Sequence, residues 1–410
     1  MRVKKTAEIL VAPACQKVLV TNAEAKSALA VVWALAKRGV EVHVGAETRI
    51  AVAWWSRFVT HRHLLPSSLK HPQAFVDELA NLQRKWKFDV ILPVAEDDIA
   101  ALLACDSESI AALPMALPLR QAFETAKDKS RMMKVALKAG VPTPATYFPD
   151  EETLESIRDR AKYPLLIKPN ISNGARGITR IDSKEKLCGV YKEIVAKWGP
   201  SHLQELIPEG GGQFKADIIV DRKGETLGLF VCKKLRFYPV EGGSSTLITS
   251  LRHAGIERAV PKLTTALGWY GFADFDFIVD PRDGIAKLME CNPRFPESLV
   301  INVFAGMDFP WLLCQLALTG TADPIKNYTV GIFARFLVGD IMWFLFSKER
   351  WSAEPGFFRF FGKDVKYYVE QANDPGPAIC SLVEAFMTIL SPKQIAYRFD
   401  RGFGREKTLK

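Results

Sequence analysis

Early in the chain, short apolar runs alternate with stretches of helical periodicity, and this alternation limits the folds available. Lys17 to Thr21 (KVLVT) is a short apolar run, Glu24 to Arg38 repeats its apolar residues at helical spacing and stops at Gly39, and Val40 to Val44 alternates as a strand does. A second unit follows, with helical spacing from Pro72 to Trp86 and the strand Asp89 to Val94 (DVILPV) leading into Glu96, Asp97 and Asp98. Strands alternating with helices predict an α/β domain, a parallel sheet with helices on both faces, over residues 1–120.

The first turn of that domain, Thr21-Asn22-Ala23-Glu24, lacks the G-x-G-x-x-G spacing that lets a backbone approach a pyrophosphate. The domain therefore reads as structural or substrate-side. The acids Glu96 to Asp98 suit either of two roles, facing a substrate at the strand end or starting a helix with favourable dipole charge. A helix from Ala126 to Ala139 ends at Gly140, and Val141-Pro142-Thr143-Pro144 follows as a stop signal. Beyond it the texture changes to α+β. Strands at Leu165 to Lys168 and His202 to Leu206, a helix from Lys184 to Trp198, and hairpins over Phe214–Arg236 and Phe272–Asn292 predict antiparallel pairing. No fixed period repeats, which excludes solenoids and propellers.

Composition narrows the class. The chain has 410 residues, 48% hydrophobic and 25% charged, which excludes general disorder and a multi-span membrane protein and allows two or three compact domains. Its net charge of +9 suits a polyanion: nucleic acid, a membrane surface or a phosphorylated substrate. No basic stripe interleaved with stacking aromatics supports nucleic acid. The 7 cysteines are scattered and never form C-x-x-C, so a reducing, cytoplasmic setting is expected rather than a disulfide framework or structural zinc. His61 and His63 share one face of a strand with no acid beside them in sequence and read as surface residues. Met1 to Leu10 lacks an apolar stretch of signal-peptide length, and no apolar run approaches the roughly 18 residues of a membrane span.

Three features of the second domain carry chemistry. The strand Pro164 to Lys168 runs into the small-residue loop Pro169-Asn-Ile-Ser-Asn-Gly174-Ala175-Arg176-Gly177, whose glycines free backbone N–H groups while Lys168 adds a cation, a combination that holds phosphate oxygens. It is not a Walker A loop. The second feature is a hairpin around Pro281-Arg282-Asp283-Gly284. Asp274, Asp276 and Ile278 share one face of its first strand, and Leu288, Glu290 and Asn292 alternate with Met289 and Cys291 on the second. A three-residue loop, Arg282 to Gly284, would set Asp276 opposite Glu290, and a four-residue loop would slip this register by one. Facing carboxylates need a cation, and hard oxygen ligands favour Mg²⁺, which suggests a nucleotide's phosphates. Arg294 stands just past these ligands, where transferred phosphate would develop charge. The third feature is Gln204-Glu205-Leu206-Ile207-Pro208, a strand ended by a proline, whose free edge can hydrogen-bond a planar base.

In this order the features resemble the ATP-grasp superfamily, over roughly Phe123 to Pro310. The markers are Lys129 within KDKSRMMKVALKAGVPTP, Lys168 with its loop, the QELIP strand, the DFDFIVDPRDG hairpin and ECNPRFPESLVINVFAGMDFP. The resemblance implies a pre-ATP-grasp α/β domain (1–120), an α+β ATP-grasp domain (121–325) and a mostly helical, aromatic C-terminal extension (326–410). It implies that Lys129 and Lys168 contact ATP phosphates under Gly174, Ala175 and Gly177, and that Gln204, Glu205, Leu206 and Ile207 hold adenine. Asp276, Glu290 and Asn292 would bind one or two Mg²⁺ ions, with Mn²⁺ as a substitute, and Arg294 would steady the transferred phosphoryl group. The segment Lys233 to Thr246 further resembles the carboxylate-amine ligases, in which the counterparts of Arg236, Gly242 and Gly243 flank substrate, and the resemblance makes Lys233 and Arg236 catalytic candidates. Asp276 replaces the glutamate common in the family, and no clear acid for ribose lies in Pro208 to Lys215 unless Glu209 serves.

That resemblance implies an enzyme that phosphorylates a small carboxylic acid with ATP and passes the acyl group to an amine. Alternatives are a carbamoyl-phosphate-synthase-like activation of another carboxylate and a non-catalytic nucleotide-binding scaffold. Related ligases commonly dimerise. Phe333 to Phe346 (FARFLVGDIMWFLF) is strongly apolar but interrupted by Arg335 and Asp340. Burial against the ligase domain is the expected role, with docking on an anionic membrane as the alternative.

Overall fold

The computed structural model describes residues 15–105, 113–240 and 242–390. The alternating N-terminal pattern folds as expected. Strands β1 (Lys17–Val20), β2 (Glu41–Ala46), β3 (His61–Leu64) and β4 (Val90–Leu92) form a parallel sheet in the order β3-β2-β1-β4. Helices α1 (Lys26–Ala36) and α2 (Pro72–Trp86) cross between its strands. Helix α3 (Glu96–Ala104) begins at the acidic triplet, so these acids do supply the first turn of a helix. Asp98 is buried there and accepts a 2.5 Å hydrogen bond from Thr21 Oγ1 at the end of β1.

The single helix expected over Ala126–Ala139 is two. Helix α4 (Arg120–Lys127) stops at Asp128, whose side chain accepts from Arg131 N (3.0 Å) and caps α5 (Lys129–Lys138). A side-chain oxygen that satisfies an orphan N–H of the first turn is a reason for the chain to restart there. Lys129 thereby becomes the first residue of α5, with its backbone N–H bonded to Asn170 O (2.9 Å).

A small antiparallel sheet follows, in the order β5-β8-β6-β7, from β5 (Thr146–Tyr147), β6 (Leu165–Pro169), β7 (Thr179–Ile181) and β8 (Ser201–Glu205). Helices α6 (Leu154–Arg160) and α7 (Lys184–Trp198) pack beside it. The larger sheet contains β9 (Gln213–Val220), β10 (Thr226–Tyr238), β11 (Ser244–Leu251), β12 (Gly271–Val279) and β13 (Ala286–Asn292). Its order is β13-β12-β9-β10-β11-β14-β15. The last two strands, β14 (Phe333–Arg335) and β15 (Val365–Tyr367), come from the segment expected to be mostly helical. Residues beyond 326 thus extend the sheet as well as supplying helices α11 (Leu337–Phe346) and α12 (Gly376–Leu390). No helix among the described residues is long and apolar enough to cross a membrane.

Helices α8 (Ala254–Leu267), α9 (Val300–Phe304) and α10 (Phe309–Thr319) complete the packing. One face of the large sheet buries Phe275, Phe277, Leu288 and Cys291 against Met132, Met133 and α8. A second core runs from Val18, Leu29 and Val42 of the first domain to Phe295, Phe309 and Leu312. Charged contacts tie the same surfaces: Lys26 with Glu297 (3.2 Å) and Arg38 with Asp308 (2.9 Å).

Candidate active site

The hairpin of β12 and β13 shows how the carboxylates are brought together. Its loop has four residues, not three: Asp280 N bonds Ile285 O and Gly284 N bonds Asp280 O, with Gly284 at φ +70°. Left uncorrected, that loop would place Met289 opposite Asp276. The register shifts by one between Asp276 and Phe277, so Phe277 faces Leu288 while Asp276 faces Glu290. Met289 is the extra residue of a β-bulge. The bulge also corrects the expected faces: Leu288 turns into the core, and Glu290 and Asn292 lie on the opposite side with Asp274 and Asp276.

Cations from three elements converge on this face. Lys215 pairs with Asp274 and lies 3.7 Å from Asp276, Lys234 lies 2.6 Å from Asp276, and Lys129 lies 3.6 Å from Glu290. Burial pushes the Asp276 carboxyl up, but Lys215 and Lys234 outweigh it and hold it well below the usual carboxylate range. Behind it, Asp217 faces Asp274 across β9 and β12 and accepts from Asn302 Nδ2 (2.8 Å). Burial, then Asp274, push the Asp217 carboxyl well above the ordinary carboxylate range. Asp274 Oδ1 and Asp217 Oδ1 are buried without a hydrogen-bond partner. Asn292 Nδ2 is 3.4 Å from Asp274 and 3.5 Å from Asp276, and Arg294 Nη2 is 3.5 Å from Asn292 Oδ1.

Lys168 is buried on β6 and donates to Gln204 Oε1 (2.9 Å) on β8. Burial lowers its pKa to about 8, with Glu290 opposing and neighbouring Lys129 assisting the shift. Lys129 Nζ donates to Ser172 O in the loop. Gly174, Ala175 and Gly177 all have positive φ, at +65°, +61° and +72°. At Gly177 a Cβ would also stand 2.8 Å from Pro169 and 2.9 Å from Trp198, so glycine is required by packing as well as by backbone.

The remaining expected residues divide. Gln204 is buried and spends its side chain on Lys168 and Thr146. Glu205 N–H bonds Ala145 O and its carboxylate pairs with Arg282 (2.6 Å), while Leu206 N–H bonds Pro164 O (3.3 Å). The backbone edge expected to be free thus has these two amides engaged within the protein; Ile207 beside them is buried. Lys233 faces Phe214 across β9 and β10, on the face opposite Asp276, with its Nζ over the Phe214 ring at 5.7 Å. The lysine on the carboxylate face is its neighbour Lys234. Arg236 is not brought to this site either: it is buried, donates to Asp340 (2.9 Å) and Pro355 O, and lies over Trp343. Sequence reasoning missed Lys215, Asp217 and Lys234. The signal was present, since Lys215 and Asp217 occupy alternate positions of an otherwise apolar strand.

The sequence profile of the ATP-grasp domain matches residues 126–298, the span holding Lys129, Lys168, Asp276, Glu290, Asn292 and Arg294. Residues 126–298 thus form a domain of the ATP-grasp superfamily. Among curated proteins, methylcrotonoyl-CoA carboxylase subunit alpha, mitochondrial, from Arabidopsis thaliana is 26% identical over 204 residues, covering 47% of this chain and 28% of that protein. The chain therefore spans well under half the length of that relative. Among solved structures, a biotin carboxylase–beta-gamma-ATP complex from Campylobacter jejuni superposes with a TM-score of 0.62 at 16% identity, over 78% of this chain and 74% of the other. An L-amino acid ligase from Bacillus licheniformis gives 0.55 at 17% identity, over 75% of each chain. The likeness in fold to these structures extends over about three quarters of the chain.

The donor set fits Mg²⁺. Asp276, Glu290 and Asn292 offer hard oxygens on one face, with lysine ammonium groups against the two carboxylates.

Proposed function

We propose that the chain is an ATP-dependent ligase that phosphorylates a substrate carboxylate and passes the acyl group to an amine, releasing ADP and phosphate. The observation that supports this reading best is the convergence of Lys129 and Lys168 on the face holding Asp276 and Glu290. A carboxylate is a poor acylating agent until one of its oxygens is phosphorylated. Positioning and charge neutralisation then carry most of the catalysis.

In this reading Lys129 and Lys168 hold phosphate oxygens, and the loop of Gly174, Ala175 and Gly177 covers them and excludes water. Asp276, Glu290 and Asn292 would hold Mg²⁺, whose charge would offset that of the phosphates. Lys215 and Lys234 keep Asp276 ionised and in place as a ligand. Arg294, next to Asn292, steadies the transferred group. The carboxyl oxygen attacks the γ-phosphorus, ADP leaves, and the amine attacks the resulting acyl phosphate with loss of phosphate. No side-chain nucleophile is needed. Small acids and amines are the proposed substrates, and the proposed setting is cytoplasmic.

The likeness to carboxylase chains, one of them solved in complex with bicarbonate, favours a second reading, in which bicarbonate is the carboxylate that is phosphorylated. One experiment separates the two: ADP release screened across amino acids, small carboxylic acids and bicarbonate, with hydroxylamine present to trap acyl phosphate as hydroxamate. A stimulated acid–amine pair with hydroxamate supports the ligase, and stimulation by bicarbonate alone supports the second reading. Glu290→Gln is expected to abolish substrate-dependent ADP release while leaving the unfolding transition in place. Normal turnover by that variant would overturn the metal assignment.

A further inference from the structure

Away from the nucleotide site, the edge of the N-terminal sheet gathers histidines that sequence alone leaves apart. Strand pairing sets His43 directly beside His61, and Gly45 beside His63. Since side chains two residues apart share a face, Glu41, His43, His61 and His63 all project from one side of β2 and β3. Glu41 thus supplies the acid that no sequence neighbour of His61 provides.

Glu41 Oε1 lies 2.8 Å from His43 Nε2. The other nitrogen of that ring, Nδ1, lies 2.9 Å from His63 Nε2. Glu41, His43 and His61 bring one ligand atom each within 4.8 Å of one another. Bonds of about 2.1 Å from a tetrahedral zinc ion would separate its ligands by about 3.4 Å. The 2.8 Å contact lies below that value and the 4.8 Å limit above it, so the three ligand atoms lie within a short adjustment of the set. The His43 side chain is fully buried and Glu41 is 37% exposed, which leaves the cluster a rigid floor and a route to solvent. Trp86, at the end of α2, walls the cluster, with its ring 4.6 Å from His43 and 4.5 Å from His61. Lys17, 3.8 Å from Glu41, is the one cation paired with that carboxylate among the described residues.

The geometry points to a second metal site, in which Glu41, His43 and His61 bind a zinc-class transition-metal ion with a fourth position open to water. Two imidazole nitrogens and a carboxylate oxygen select Zn²⁺, Ni²⁺ or Cu²⁺ over Mg²⁺, so this site and the nucleotide site do not compete for one ion. His63 is the outer partner: it bonds the far nitrogen of His43 and so fixes which nitrogen faces the metal. An ion held there would fasten the edge strand β3 to β2.

The test is equilibrium dialysis of the full chain, stripped with chelator, against Zn²⁺ in millimolar Mg²⁺. One tightly bound zinc per chain is expected. His61→Ala and Glu41→Gln, which leave the buried His43 in place, should each weaken binding at least tenfold without changing the far-ultraviolet circular dichroism, and Asp276→Asn should keep the zinc. Zinc-edge absorption should show imidazole nitrogens in the first shell. Wild-type zinc affinity in His61→Ala, loss of the zinc in Asp276→Asn, or a first shell without imidazole would each overturn the site.

Discussion

At the scale of single residues, Lys168 has the most consequential environment. Its ammonium is buried beside Lys129, and its pKa falls from 10.5 to about 8. A lowered lysine pKa means the folded protein keeps the charge below about pH 8 and sheds it above. Phosphate binding needs the charge, so the affinity of the free protein for ATP should fall as pH rises through about 8, approaching tenfold per pH unit at high pH. Lys168→Arg, protonated throughout this range, should flatten that limb in a titration of ATP binding between pH 7 and 9.5. An unchanged limb in the variant would move the titration to another group. The place of Lys168, on a strand running into a glycine loop, was legible in the sequence. Its shifted pKa was not, because the shift comes from burial and from Lys129, a residue on another element.

At the scale of elements, register decides which lysine acts. The sequence offers Lys233 and Lys234 with nothing local to choose between them. Pairing of β10 with β9 puts Lys233 opposite Phe214 and leaves Lys234 on the face of Asp276. Lys234→Met should therefore reduce kcat/KM for ATP by at least tenfold, about 1.4 kcal/mol of lost transition-state stabilisation, and weaken Mg²⁺-dependent nucleotide binding. Lys233→Met should change the same quantities less than threefold. Steady-state kinetics on the pair checks this directly, and the reverse ranking would mean that the strand is out by one residue. The metal ligands teach the same lesson. Asp276 opposite Glu290 was legible only if the loop had three residues; it has four, and the bulge at Met289 restores the pairing. Alternation patterns do not reveal bulges, because the extra residue satisfies neither face.

At the scale of the whole molecule, the C-terminal segment is part of the fold rather than an appendage. Asp374 accepts from Trp33 Nε1 (2.7 Å), Ser56 Oγ and Arg57 N, which anchors the segment to the N-terminal domain. Asp340, fully buried, accepts from Arg236 (2.9 Å), Arg335 (2.6 Å) and Thr246 (3.2 Å), which joins α11 to β10, β11 and β14. This is where Arg236 acts, and why a substrate role read from its sequence neighbourhood does not match its position. Aromatic side chains at Trp351, Phe358 and Phe361 remain exposed beside this junction. Removing Asp340 leaves two buried guanidinium groups sharing no carboxylate, a loss of about 3–5 kcal/mol. Asp340→Ala should lower the denaturant midpoint accordingly and open residues 345–363 to limited proteolysis. Replacing the whole triad, Arg236→Met with Arg335→Met and Asp340→Leu, should recover much of that loss, because apolar groups of similar volume carry no desolvation cost. A wild-type midpoint in Asp340→Ala would show that the junction is held by its aromatic packing, with Arg236 over Trp343 and Arg335 over Phe357, and that the ion pairs contribute little.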